Sequence, residues 1–160
     1  MSRTSLSALD DLKQLDKDNI YDLYVSSFDT AIGERWSKQG LADILVLEGV
    51  SALVLKGEAS TLGFIIWRIV AGEAELLNVA VRPEYRQKGF GTKLLEGMLA
   101  ALEQTATKKV FLEVRECNTN AHKLYSSFGF KISGRRRGYY DHAEGGREDA
   151  LLMSKFFMAD

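Results

Sequence analysis

The chain has 160 residues, the size of one ordinary domain, of which 46% are hydrophobic and 27% charged. That balance excludes a disordered or fibrous chain, because about two-thirds of the unfolded surface can be buried at this length. Lys and Arg together number 21 against 22 Asp and Glu, a net charge of -1, without the positive excess that wrapping nucleic acid or lying on anionic lipid requires.

Residues 1–10 carry no apolar run of the kind a secretory signal needs. Asp18 is placed to cap a helix in which Ile20, Leu23, Tyr24, Ser27 and Phe28 share one face. A loop over residues 29–36 leads to Ser37, the expected cap of a second short helix through Leu41, Ile44 and Leu45. The period then changes. Residues 51–56 and 62–71 are rich in β-branched and aromatic residues around the turn 57–60, which predicts a β-hairpin, and 75–81 reads as a third strand. Asp43, Glu48 and Arg68 break the two longest apolar runs well short of the roughly 18 residues of a membrane span.

Leu94, Leu95, Met98, Leu99 and Leu102 give helical spacing to residues 89–105. Residues 110–115 form a short apolar strand, and 118–128 a helix stopped by Gly129, where a left-handed cap belongs. Residues 130–137 and 148–155 read as two closing strands around a polar loop. This order predicts an α/β (α+β) fold, a mixed sheet flanked by helices on both faces, with residues 1–160 as one domain.

The most specific stretch is NVAVRPEYRQKGFGTKLL, residues 78–95, in which a strand runs through a basic glycine turn into a helix. The first amides of a helix lack internal partners and lie at the positive end of its dipole, so they suit a phosphate. Gly89 and Gly91 would let a ligand approach the backbone. Arg82, Arg86, Lys88 and Lys93 against Glu84 concentrate a net +3 there. The P-loop pattern is absent, as is the third glycine of a dinucleotide fingerprint. By spacing alone the turn equally fits a tight strand–helix connection with solvated lysines. Likewise Glu113, alternating with Phe111 and Arg115 on its strand, fits a rim carboxylate, and Tyr125 fits a core tyrosine.

The residues Arg86-x-x-Gly89-x-Gly91 resemble the acyl-CoA pyrophosphate motif of the GNAT superfamily of N-acetyltransferases, which follows the third strand of a comparable element order. The segments LNVAVRP (77–83), LEVR (112–115), Leu124-Tyr125, Gly129-Phe130, Tyr139-Tyr140 and EDALLM (148–153), with Asn118, are similar to the RimI-type branch. That branch acetylates the N-terminal alanine of a small-subunit ribosomal protein. The resemblance is dense over residues 73–153 and thin before residue 62.

It implies acetyl-CoA as cosubstrate and no metal. Val79, Ala80 and Val81 would hold the pantetheine arm, with the Val81 amide polarising the thioester carbonyl. Arg86, Gln87, Lys88, Gly89, Phe90, Gly91 and Thr92 would hold the diphosphate, and Asn118 would both cap its helix and touch CoA. Glu113 would act as general base through a water molecule. Tyr125, twelve residues further on, would protonate the departing thiolate. Tyr139 and Tyr140, expected at the start of the loop between the closing strands, would touch the acceptor, as would Trp36. The partner implied is a protein N-terminus, that of a ribosomal protein in the branch it resembles, with no direct contact to nucleic acid or membrane; the resemblance sets no oligomeric state.

The branch often carries Pro-Trp-Ser before its second helix, where this chain reads Arg35-Trp36-Ser37 after DTAIGE at 29–34. This departure bears on the acceptor rather than on acetyl-CoA. Cys117, the one cysteine, rules out an intramolecular disulfide and fits a cytoplasmic setting. It has no histidine–carboxylate pair beside it in sequence to make it a nucleophile, and with His122 and His142 it shows no zinc-like spacing. Arg135, Arg136 and Arg137 read as the solvated face of an edge strand. Two rival readings share the fold: acetylation of a small amine such as a polyamine or drug, and a CoA-binding sensor without turnover.

Overall fold

Residues 50–81 fold as three consecutive antiparallel strands, in keeping with their β-branched and aromatic content: β2 (Val50–Lys56), β3 (Thr61–Val70) and β4 (Glu73–Val81). The structure, a computed structural model, describes residues 3–11, 14–27, 36–142 and 144–158. Before these strands come β1 (Ser5–Ala8), a 3-10 turn (Leu9–Asp11), α1 (Gln14–Ser27) and α2 (Lys38–Leu45). After them come a 3-10 turn (Pro83–Tyr85), α3 (Phe90–Glu103), β5 (Lys109–Arg115), α4 (Thr119–Ser127), β6 (Lys131–Asp141) and β7 (Arg147–Phe156). The strands form one sheet in the order β1-β2-β3-β4-β5-β7-β6, antiparallel except for β4 beside β5.

Several expectations need correction. β1 is absent from the sequence reading because four residues carry too short an alternation; pairing of Ser5–Ala8 with the far half of β2 makes it a strand. α1 begins at Gln14, so Asp18 lies inside the helix rather than at its cap, where it bridges Lys38 of α2 at 3.0 Å. Phe28 and residues 29–35, the unusual loop, lie outside the described residues. The Ser37 cap forms as expected, its Oγ accepting from the Gly40 amide at 2.9 Å. Gly129 takes the left-handed φ of +84° that ends α4. β6 continues to Asp141, past residue 137.

The two faces of the sheet carry separate cores. On one, Leu94, Leu95, Met98, Leu99 and Leu102 of α3 pack with Tyr125 of α4 against Ile65, Trp67, Leu76, Val110, Leu112 and Val114. On the other, Ile20, Leu23 and Tyr24 of α1 and Leu41 and Leu45 of α2 cover Val54, Phe64, Ile66 and Ala80. Each such buried leucine or isoleucine contributes about 1.5–3 kcal/mol through its apolar surface.

What shapes the site is where the sheet comes apart. β4 and β5 pair only from Glu73↔Lys109 to Glu75↔Phe111. β4 stays paired to β3 as far as Val81, and β5 to β7 as far as Arg115. Beyond Glu75 and Phe111 the two strands therefore part, and the inner edge of each keeps backbone groups that no strand uses. A bulge accompanies the split: Trp67 faces Leu76 and Ile66 faces Asn78, so Leu77 is an extra residue. It resets the alternation, because Ala74 and Leu76 before it and Val79 and Val81 after it all join the α3-side core.

Candidate active site

The glycine turn closes one end of the split. Gln87 and Gly89 adopt left-handed φ angles of 60° and 81°, and no added atom would crowd Gly89, so glycine is favoured there by conformation alone. The first bond of α3 runs from the Lys93 amide to the Gly89 carbonyl at 3.0 Å, which leaves the amides of Phe90, Gly91 and Thr92 without intrahelical partners. Among the described residues, the amides of Gln87, Lys88 and Gly89 donate to no backbone carbonyl either. Six consecutive donors without a backbone partner among the described residues, at a helix N-terminus, make a site that can hold phosphate oxygens.

The charge around this turn is arranged less simply than the sequence suggests. Lys88 lies over the Tyr85 ring, 5.2 Å from its centre. Lys93 reaches away to Thr4, with Nζ 2.6 Å from its Oγ1, and Arg82 Nε donates to the Thr61 carbonyl. Arg86 donates from Nε to the Val81 carbonyl at 3.2 Å and from a terminal nitrogen to the Ser27 carbonyl at 3.0 Å. Its exposed guanidinium thus ties the end of β4 to the end of α1.

Glu113 lies on β5 opposite Leu152 of β7. Val110, Leu112 and Val114 enter the α3-side core, so alternation turns Glu113 to the other face of the sheet, as expected. Its side chain is 25% exposed, with Oε1 3.2 Å from Arg136 Nε. Glu75 and Tyr140 are both pushed above their ordinary pKa values, first by burial and then by the charge of Glu113. The three groups thus share one patch, balanced by Arg68, Arg115 and Arg136.

Tyr139 and Tyr140 belong to β6 itself rather than to the loop after it. Their rings meet edge to face at 5.0 Å. Arg115 stacks on Tyr140 at 4.1 Å and Arg136 on Tyr139 at 4.9 Å, contacts that fix both rings while leaving Tyr139 52% exposed. Trp36 stacks on Tyr24 at 5.5 Å and donates its backbone N–H to the Tyr24 hydroxyl at 3.0 Å. Among the described residues no ring contact or hydrogen bond joins Trp36 to Tyr139 or Tyr140.

Tyr125 approaches from the opposite face, 6% exposed in the α3-side core with its ring 5.8 Å from that of Phe130. Burial pushes its pKa up to about 12, and among the described residues no hydrogen bond engages its hydroxyl. It is a core tyrosine with an uncommitted, firmly protonated phenol. Asn118 caps α4, its side chain accepting from the Ala121 amide at 3.2 Å.

Sequence reasoning gave Glu148 no role. It is 6% exposed and accepts from the Cys117 amide at 2.6 Å and from Arg115 at 3.1 Å. Burial alone would raise its pKa, but hydrogen bonds from the Cys117 thiol and amide, and then Arg115, outweigh it and hold the carboxyl below its ordinary value. Glu148 thereby joins β7 to the turn that opens α4 and to the arginine beneath Tyr140. The same contact, followed by burial, raises the Cys117 thiol, which makes it a poorer nucleophile. Arg135, on the edge strand as expected, pairs with Glu116 at 2.7 Å and Asp149 at 2.8 Å.

Comparison with known proteins places this arrangement. The sequence matches the model of the acetyltransferase (GNAT) family over residues 17–130. It is 43% identical over 91 residues to the ribosomal protein bS18-alanine N-acetyltransferase of Escherichia coli K12, a match that spans 57% of this chain and 61% of that relative's length. The Haemophilus ducreyi protein of the same name is 35% identical over 123 residues, 76% of this chain and 83% of the relative. The crystal structure of the Escherichia coli ribosomal-protein-S18-alanine N-acetyltransferase matches with a TM-score of 0.86 and 31% identity, over 99% of this chain and 97% of that one. The family match covers most of the chain, and the fold agrees along nearly all of it; the chain belongs to the GNAT acetyltransferase family.

Proposed function

We propose that the protein is a cytoplasmic acyltransferase that moves the acetyl group of acetyl-CoA onto the N-terminal α-amine of a protein, with a ribosomal protein beginning in alanine as the acceptor. The observation that carries this reading is the split between β4 and β5, with Glu113 on one face, Tyr125 on the other and the six amides at its end. The names of the Escherichia coli and Haemophilus ducreyi relatives support the choice of acceptor.

Acetyl-CoA supplies an activated acetyl thioester. The amides of residues 87–92 hold its diphosphate, assisted by Arg86 and Lys88. The backbone of Val79, Ala80 and Val81 holds the pantetheine arm along the free edge of β4, and the Val81 amide polarises the thioester carbonyl. Asn118 adds a contact to CoA beside its cap. Tyr139, Tyr140 and Trp36 hold the first residues of the acceptor. Glu113 takes a proton from the amine through a water molecule, a modest demand given an α-amine pKa of about 7.7–8.0. Tyr125 gives its proton to the sulfur as the C–S bond breaks.

Mass spectrometry of a panel incubated with enzyme and acetyl-CoA tests the reading. The panel contains free Ala-, Ser- and Met-starting peptides, an N-blocked peptide carrying lysine, and spermidine. Acetylation of the free Ala or Ser N-terminus is expected. Product on lysine or spermidine alone would replace the acceptor, and binding of acetyl-CoA without any product would make the chain a sensor.

Arg86→Ala is expected to weaken acetyl-CoA binding about tenfold by calorimetry, since hydrogen bonds to a charged group contribute about 1.5–3 kcal/mol. Its loss removes positive charge and releases the Val81 carbonyl at the mouth of the turn. An unchanged Kd would remove Arg86 from the cosubstrate site.

A further inference from the structure

Two buried side-chain oxygens among the described residues have no hydrogen-bond partner, Ser27 Oγ and Asn78 Oδ1. A hydroxyl can turn to suit a neighbour, but a carboxamide oxygen can only accept, so an orphaned one is costly and calls for a reason. Asn78 sits one residue past the Leu77 bulge, paired with Ile66 of β3. The reset alternation puts it with Ala80 on the α1/α2 side of the sheet, which is the side Glu113 faces from β5. Carried forward from Glu75↔Phe111, the parallel register sets Leu77 level with Glu113, just where the strands part. Asn78 and Glu113 therefore edge the split from its two banks, on one face.

We infer that Asn78 binds the acceptor: its side-chain oxygen accepts one N–H of the attacking α-amine once Glu113 has taken the ammonium proton. The residue is only half-buried. No hydrogen bond among the described residues tethers either end of the carboxamide, so it is free to turn about χ2 toward a bound amine. The inference rests on reading the split as the acetyl-transfer site. The ammonium proton passes through water to Glu113, the freed lone pair forms the N–C bond, the C–S bond breaks as the Tyr125 proton goes to sulfur, and a second amine proton leaves to solvent, which restores the Tyr125 phenol. The hydrogen held by Asn78 stays on nitrogen and becomes the N–H of the product amide. Holding one hydrogen on Asn78 while the other is free to leave aims the lone pair at the thioester carbon and selects a primary amine. An N-methylated α-amine has one hydrogen, which it must give up, and presents a methyl group to the Asn78 oxygen.

Steady-state kinetics of the wild type and Asn78→Leu, with an Ala-starting peptide and its N-methyl-alanine counterpart, test this. Asn78→Leu is expected to lower kcat/KM for the Ala peptide about tenfold, chiefly through the acceptor KM. The preference for Ala over N-methyl-alanine should shrink by a similar factor. Acetyl-CoA affinity should stay the same and the melting temperature should not fall, because a leucine leaves no orphaned oxygen. Asn78→Asp, which keeps an accepting oxygen, should retain the preference; Asn78→Ala carries the same test should leucine perturb the fold. An unchanged kcat/KM, or an equal loss on both peptides with a lowered melting temperature, would overturn the assignment alone. A wild type that acetylates no peptide would overturn the reading of the split and this inference with it.

Discussion

Glu113→Gln is expected to reduce kcat by about 10²–10³-fold, the usual loss when a positioned general base is removed, while the acetyl-CoA Kd stays within about twofold. Glutamine matches glutamate in size, and its carbonyl can still accept from Arg136 Nε, now 3.2 Å from Oε1. What it cannot do is take a proton. The deficit should therefore narrow as pH rises past about 8, where a growing share of the acceptor amine is already neutral. The competing view is that Glu113 is only a rim carboxylate paired with Arg136. An ion pair this exposed contributes about 0–1 kcal/mol, so on that view the variant would lose a little stability and keep its turnover. Stopped assays across pH separate the two, and an unchanged kcat at pH 7 would remove Glu113 from the role of base.

The parts of the molecule that were legible in its sequence are those set by local periodicity and local capping. The β2–β3 hairpin, the apolar stripe of α3, the Ser37 cap and the left-handed Gly129 all depend on residues a few positions apart. Glu113 could be placed on the face opposite Val110, Leu112 and Val114 because alternation along five or six residues suffices. The split was not legible. ELLNVAV reads as one continuous strand, and the extra residue Leu77 shows only when β3 supplies the register. Where β4 leaves β5 depends on a pairing across the whole of α3. Glu148 was missed for the same reason: its partner is the Cys117 amide, 31 residues away in sequence. Arg86 was legible as a charge but not as a tie to the Val81 and Ser27 carbonyls. β1 and the early start of α1 escaped because four strand residues carry too short an alternation and because Asp18 gives a stronger start signal in the sequence than Lys13.

The second large effect concerns the other face of the split. Tyr125→Phe is expected to lower kcat by about 10²-fold, with both Michaelis constants little changed, because a phenylalanine fills the same core position against Phe130 but offers the thiolate no proton. Its effect on stability distinguishes this role from packing. The hydroxyl has no hydrogen-bond partner among the described residues, so deleting it should leave the melting temperature at pH 7 unchanged or slightly higher. The pH dependence follows from burial, which holds the phenol protonated up to about 12. The wild-type rate should therefore show no loss from Tyr125 at the ordinary tyrosine pKa near 10. Because the folded-state value lies above the unfolded one, the protonated phenol contributes stability that is fully present below pH 10 and is lost as pH rises from about 10 to about 12. Tyr125→Phe should remove that part of the alkaline slope in urea unfolding. A variant that keeps wild-type kcat yet loses the slope would make Tyr125 a core residue alone and leave the sulfur to find its proton from solvent. A variant that loses kcat and the slope together, with an unchanged melting temperature at pH 7, identifies the phenol as the proton donor, kept neutral by the apolar packing that buries it.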